Sequence, residues 1–199
     1  MQYSTKEFNL PEIDGLSQKQ IEVHLGLYDG YVKNVNKLQE QIAQLKDVDT
    51  EKYSYAITET RRRLGFEFNG MRMHEYYFNQ LEASNTKETQ DEELIELISK
   101  EFGTWDSFIN EFKKVGMTRG IGWTILYYDK NAEALYIAWV ADHELGQLGG
   151  LKILLAMDMW EHAFMVDYTP AQKAEYIDAY LNNVNFGVMD TRYNEAKNN

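Results

Sequence analysis

The chain has 199 residues, of which 44% are hydrophobic, and its formal net charge is −12 at pH 7. This length can bury one core or two small adjoining ones, and the hydrophobic content excludes a disordered chain. The negative charge disfavours binding to nucleic acids and anionic membranes, and the absence of cysteine excludes disulfides, thiolate zinc sites and iron–sulfur clusters.

Hydropathy gives no indication of a membrane protein. No apolar run reaches the roughly 18 residues that a transmembrane helix requires. The first residues contain no apolar segment typical of a signal peptide. We therefore expect a cytoplasmic protein that binds neither nucleic acid nor membrane.

Hydrophobic residues in the N-terminal half recur at three- and four-residue steps, as in amphipathic helices. Ser17 and Gln20 predict a capping box at the start of a long helix, from about residue 18 to about residue 45. A second helix is expected to begin near Tyr53, and a further helical pattern extends from Leu64 to Glu82. Together these elements predict an antiparallel helical hairpin.

The C-terminal half mixes helical and strand patterns. Residues 123–128 and 134–140 are rich in β-branched and aromatic residues and flank a polar turn, which predicts a β-hairpin. Residues 151–157 form either a third strand or a buried helix, because a short apolar run fits both. Three further helices are predicted over residues 91–100, 105–117 and 171–184.

Two potential metal ligands lie four residues apart, Asp158 and His162. A carboxylate with an imidazole is a donor set that suits iron or manganese. On a helix the pair would share one face, and at a strand-to-turn junction it could also converge. A chance surface pair is the alternative. The chain has four histidines, so a site with several of them must recruit from distant segments.

Four segments carry a resemblance to a known family. His24 lies within IEVHLGLYDGYVKNVNKL and His74 within NGMRMHEYYFNQL, and the segments GIGWTILYY and DMWEHAFMVDY follow. In this order they resemble the iron/manganese superoxide dismutases, from about His24 to about Phe186. The resemblance implies an α+β fold, with an N-terminal α-helical hairpin domain over residues 1–85. A C-terminal α/β domain with a three-stranded antiparallel sheet would occupy residues 86–199.

The resemblance also implies an activity and a metal. The activity is the disproportionation of superoxide to oxygen and hydrogen peroxide at one manganese or iron ion per subunit. One solvent molecule would complete a five-coordinate site. Gly70 and Ala156 favour manganese slightly, and use of either ion is the alternative. The four implied protein ligands are His24, His74, Asp158 and His162.

His143 has an implied role beside the metal. Many relatives carry a glutamine there that hydrogen-bonds the metal-bound solvent, whereas iron-type relatives often place one at the position of Gly70. The solvent partner is therefore expected to be His143, which would tune the metal potential and the pKa of its water. The alternative is an exposed loop histidine.

Aromatic side chains are implied around the pocket. Trp123, Trp160 and Phe78 match its walls, although ordinary core packing would explain them too. Tyr31 matches the gateway tyrosine that relays protons. The match requires a one-residue deletion, which turns a helical side chain by about 100°, so Tyr28 is a rival for this role.

The resemblance implies a homodimer, with a tetramer as the alternative. Glu161 would reach the ligand histidine of the neighbouring subunit, so the interface would include Glu161 and His162. The usual gateway histidine and its tyrosine partner across the interface are Tyr28 and Met165 here, so that pair cannot form. Arg72 and Lys173 are candidates for the positive potential that attracts superoxide.

Two other functions use the same residues. A metal-dependent hydrolase could activate water with the same ligands, although it would need a free general base. A catalytically inactive, structural relative is the other alternative, and the presence of all four ligand positions argues against it.

Overall fold

The computed structural model describes residues 2–82 and 86–198. Helix α1 (Gln18–Gln44) and helix α2 (Ser54–Asn79) form the N-terminal half. His24 lies near His74, and Asn34 donates to Glu67 over 3.2 Å, so the two helices run antiparallel. The predicted hairpin is therefore confirmed. The two helical patterns predicted after Tyr53 are one continuous helix.

The cap of α1 follows only half of the predicted capping box. The Ser17 hydroxyl accepts from the backbone N–H of Gln20, but the Gln20 side chain does not bind back to Ser17. Instead, Asp167 accepts from both the backbone N–H and the hydroxyl of Ser17, at 2.6 Å each. This frees the Gln20 side chain for a contact elsewhere.

The C-terminal half begins with α3 (Glu92–Phe102) and α4 (Trp105–Gly116). Asp91 and Thr104 cap these helices by accepting from the backbone N–H groups of Leu94 and Ser107. Between the helices Gly103 has a φ of 88°, a left-handed conformation that favours glycine. Both predicted helices are confirmed.

The sheet contains three antiparallel strands, in the order β2-β1-β3: β1 (Gly122–Asp129), β2 (Ala134–Ala141) and β3 (Lys152–Asp158). The ambiguous apolar segment is therefore a strand, and the predicted α+β class is confirmed. Trp123 pairs with Val140 on one side and with Asp158 on the other. This register brings the start of β1 and the end of β3 to one end of the sheet.

After β3 the chain makes two short 3₁₀ turns, Glu161–Ala163 and Pro170–Gln172. Helix α5 (Lys173–Asn183) follows, and α6 (Gly187–Asn198) packs against β3. One buried hydrophobic cluster includes residues from both halves. The predicted domain boundary at residue 85 lies outside the described residues. None of the described helices has the length and apolarity needed to cross a membrane.

Candidate metal centre

Four side chains from distant segments converge at the end of the sheet. Their donor atoms all lie within 4.8 Å of one another. Asp158 Oδ2 lies 3.1 Å from His24 Nε2, 3.2 Å from His162 Nε2 and 3.5 Å from His74 Nε2. The fold thus places three imidazole nitrogens around one carboxylate oxygen, using the four residues expected from sequence.

The four ligands come from four different elements of secondary structure. Helices α1 and α2 supply His24 and His74, β3 ends at Asp158, and the first 3₁₀ turn supplies His162. Asp158 and His162 therefore converge at a strand-to-turn junction, not on a helix. The backbone N–H of Trp160 donates to Asp158 Oδ1 over 2.8 Å, which leaves Oδ2 to face the imidazoles.

The local electrostatics favour neutral imidazoles at His24 and His74 and an ionised carboxylate at Asp158. Burial lowers the pKa of His24, although the hydrogen bond to Asp158 opposes this. Burial also lowers the pKa of His74 well below its usual value, and nearby His24 adds to the effect. Burial alone would raise the pKa of Asp158, but His162 and His24 outweigh it and lower that pKa.

The hydrogen bonding of His74 indicates that these residues suit a metal ion. Its Nδ1–H donates to the Gly70 carbonyl over 2.6 Å, so Nε2 carries the free lone pair. Nε2 is buried and has no hydrogen-bond partner among the described residues. A buried acceptor that faces a carboxylate is costly unless a cation lies between them. Three nitrogens and one oxygen form a donor set that fits iron or manganese.

An aromatic wall surrounds the four donors. The indole N–H of Trp123 donates to His143 Nδ1 over 2.9 Å. Trp160 stacks on His143 and on His162, with ring centroids 4.8 Å and 5.6 Å apart. The Phe78 ring lies 4.8 Å from that of His24. The structure therefore places the three expected aromatic residues at the site, and His143 is buried rather than exposed.

The two candidate gateway tyrosines lie in different environments. The Tyr31 hydroxyl lies 2.8 Å from His143 Nε2. The Tyr28 hydroxyl instead accepts from the backbone N–H of Lys6 over 3.0 Å and donates to Glu75 over 3.2 Å. Tyr31 is therefore the one that contacts His143.

Two residues that support the donors were missed from sequence. Gln20 donates to the His162 carbonyl over 2.7 Å and accepts from the backbone N–H of Val166 over 2.9 Å. The Tyr176 hydroxyl donates to the Asp158 carbonyl over 2.7 Å. Gln20 was interpreted as half of a capping box, and Tyr176 as an ordinary position of a closing helix. Neither pattern indicates contact with a distant segment.

Arg72 and Lys173, which were expected to attract superoxide, each form a hydrogen bond with another residue of the chain. Arg72 donates to Glu75 over 2.7 Å, and Lys173 donates to the Thr118 carbonyl over 2.8 Å. Arg63 was missed, and its guanidinium lies 4.0 Å from the centre of the Phe66 ring. That ring lies 4.7 Å from the ring of His143, but Arg63 also donates to Glu67 over 2.8 Å, so its charge is paired with a carboxylate as that of Arg72 is.

Comparisons with known proteins agree with this geometry. Residues 90–192 match the family model for iron/manganese superoxide dismutases, C-terminal domain. An iron superoxide dismutase of Aquifex aeolicus is 33% identical over 188 residues, which cover 92% of this chain and 87% of that protein. The chain belongs to the iron/manganese superoxide dismutase family. The resemblance predicted from sequence is therefore confirmed. The family consists of oxidoreductases that act on superoxide.

Two further relatives are similar to this chain over nearly its whole length. An iron superoxide dismutase of Saccharolobus solfataricus is 30% identical over 203 residues, with 96% of each chain covered. One of Cupriavidus metallidurans is 31% identical over 188 residues, which cover 93% of this chain and 92% of that protein. The similarity therefore includes both the helical hairpin and the sheet.

Proposed function

We propose that the protein is a superoxide dismutase with one iron or manganese ion per subunit, held by His24, His74, Asp158 and His162. The observation that carries the proposal is the convergence of three imidazole nitrogens on Asp158 Oδ2. When bound, the metal ion supplies the one-electron chemistry by which one superoxide is oxidised to oxygen and a second is reduced to peroxide. Its positive charge is only partly neutralised by the single carboxylate, which favours an anionic substrate.

Proton supply is the task of the surrounding residues, since peroxide must take up two protons to leave as hydrogen peroxide. Indole nitrogen is only a donor, so the Trp123 bond requires an unprotonated Nδ1 on His143. Burial lowers the pKa of His143 to about 4, so its ring is neutral and its proton is on Nε2. This N–H donates to the Tyr31 oxygen.

Tyr31 is thereby prepared to act as a proton donor. Because its oxygen accepts from His143, its own O–H is free to point towards the reacting anion. Burial raises the pKa of Tyr31, which keeps the hydroxyl protonated at neutral pH. Phe78, Trp123 and Trp160 exclude bulk water from the other sides of the site, and this strengthens the electrostatic interactions inside it.

The proposal retains both metals. The donor set suits either ion, the named relatives are iron enzymes, and Gly70 and Ala156 gave a slight expectation of manganese. In this chain an added Cβ on Gly70 would lie 2.6 Å from ring carbons of Tyr31. A glutamine from α2 would therefore displace Tyr31. In this chain both ring nitrogens of His143 already have partners, Trp123 and Tyr31, so a contact of His143 with the metal-bound solvent stays a prediction.

A homodimer is part of the proposal. Glu161 is exposed although it is adjacent to the metal ligand His162. Met165 and Val166 follow shortly after, and they are 45% and 42% exposed. An exposed acid beside exposed apolar side chains suits a subunit interface that includes Glu161 and His162. The cytoplasmic location and a tetrameric assembly stay predictions.

The test is metal analysis of the purified protein followed by measurement of superoxide consumption. We expect one iron or manganese ion per subunit and rapid dismutation, and we expect His74→Ala to lose both. The zinc-loaded protein is the matched control, because zinc can occupy the same donors but cannot change oxidation state. Bound iron or manganese without dismutation would overturn the proposal. Hydrolysis supported equally well by zinc would favour the hydrolase.

A further inference from the structure

Side chains form hydrogen bonds with the backbone carbonyls on the outer edge of β3. β3 is an edge strand of the sheet, so every second residue directs backbone polar groups away from β1. The Leu154 carbonyl accepts from Arg192, the Ala156 carbonyl accepts from Gln80 and Tyr180, and the Asp158 carbonyl accepts from Tyr176. This row of bonds continues along the strand to the metal ligand Asp158.

Arg192 of α6 joins this edge to helix α2. Its Nη1 donates to the Leu154 carbonyl over 2.9 Å and to Gln80 Oε1 over 2.6 Å. Its Nη2 donates to the Tyr76 carbonyl over 3.1 Å and to Asn79 Oδ1 over 3.0 Å. The two terminal nitrogens thus make four hydrogen bonds, which connect the last turn of α2 to β3.

Gln80 extends the contact towards the metal site. Its side chain accepts from the Ala156 N–H over 2.9 Å and donates to the Ala156 carbonyl over 2.8 Å. The same Oε1 accepts from Arg192, so the guanidinium fixes the orientation of the amide. Ala156 lies two residues before Asp158, and Tyr76 lies two residues after His74.

The chemistry of this contact is specific to arginine. None of the four acceptors is a carboxylate, so the guanidinium donates to neutral oxygens, and it also lies 4.6 Å from the centre of the Tyr76 ring. Burial lowers the pKa of Arg192 to about 10, which still leaves it charged at neutral pH. Lysine carries the same charge on one nitrogen with three donors, so it cannot reproduce a planar fork that makes four bonds.

We infer that Arg192 is a positioning residue for the metal site, because it sets the distance between the strand that carries Asp158 and the helix that carries His74. This inference rests on the proposed metal site. A donor set that is held less firmly binds its ion more weakly and with a distorted geometry. The effect should therefore appear in the bound metal itself as well as in the stability of the protein.

The test compares Arg192→Met and Arg192→Lys with the wild-type protein, and uses Arg119→Met as control because Arg119 is exposed. Each protein is loaded with iron or manganese and studied well below its unfolding temperature. We expect Arg192→Met to release metal to a chelator about tenfold faster and to shift the visible absorption of the bound ion. Arg192→Lys should lie between it and the wild type, and the control should not change.

Several outcomes separate this inference from a purely structural role. If both Arg192 variants unfold more easily but keep the wild-type release rate and spectrum, the inference is wrong. If Arg192→Met does not fold, the release rates of Arg192→Lys and Asn79→Ala decide, because each removes some of the four hydrogen bonds of Arg192; wild-type rates in both would equally overturn the inference. If the wild-type protein binds no metal, it is the proposed function that fails.

Discussion

The aromatic ring of Tyr31 occupies the space beside Gly70 where any other residue would place its side chain. A Cβ added to Gly70 would lie 2.6 Å from both Cδ1 and Cε1 of Tyr31. Since the Tyr31 hydroxyl lies 2.8 Å from His143, this close packing of α1 on α2 also sets the position of the proposed proton donor.

Gly70→Ala should therefore displace Tyr31. We expect a loss of about 1–3 kcal/mol in the free energy of unfolding, because the added methyl overpacks a buried contact. Superoxide consumption should fall as the Tyr31–His143 bond is lost. Denaturant unfolding and the dismutation assay measure the two effects.

Gly26→Ala is the matched control for this substitution. Gly26 lies in α1 with no heavy atom within 4 Å of an added Cβ among the described residues, so it makes no close approach there. The change should stabilise the protein by about 0.5–1 kcal/mol, because alanine loses less conformational freedom than glycine in a helix. Equal effects of the two substitutions would contradict the packing described here.

Trp123→Phe should weaken the proton supply while leaving the metal in place. The ring is retained, but the donor to His143 Nδ1 is lost, so the imidazole proton is no longer restricted to Nε2. A hydrogen bond worth about 1 kcal/mol corresponds to about a fivefold loss in rate. Metal content is measured as control, and the His143 tautomer is read from its nitrogen chemical shifts. A wild-type rate with a changed tautomer would show that His143 does not take part.

Glu161→Ala should weaken the subunit association. Glu161 is exposed in one subunit, and the proposed interface would enclose its charge against the partner. A hydrogen bond to a charged group is worth about 2 kcal/mol, so its loss is about thirtyfold in the dimer dissociation constant. Sedimentation over a range of protein concentrations measures this constant. Glu96→Ala removes another exposed acid and should leave it unchanged; the same shift in both variants would point to net charge instead.

Gln20→Leu should destabilise the segment that carries His162. The substitution leaves the His162 carbonyl and the Val166 N–H without their partner, and since both hydrogen bonds are only partly buried, each loss costs about 1 kcal/mol. The midpoint of denaturant unfolding should fall accordingly. Gln18→Leu, two residues earlier on the exposed side of the helix, should change it little. A comparable loss at Gln18 would indicate a general effect of leucine in this helix.

The sequence by itself determined the β-hairpin, the family and most of the helices, but it predicted no helix at α6 and divided α2 into two patterns. Hydrophobic spacing and capping residues act over a few positions, so α1, α3, α4 and the first two strands could be predicted closely. The ligand candidates were also within reach, because the chain has four histidines and one aspartate–histidine motif that resembles the family. These features are local or depend on residue identity.

Only the tertiary structure decided how distant segments meet. The third strand required its pairing with β1, because its apolar run fits a helix equally well. The choice between Tyr31 and Tyr28 as the contact of His143 depended on how α1 turns against α2. Arg192 binds the Tyr76 carbonyl and Gln20 binds the His162 carbonyl, 116 and 142 residues away in sequence, and no spacing rule predicts such contacts. Hydrogen bonds of this kind depend on positions in space, which the chain acquires only once its core is packed.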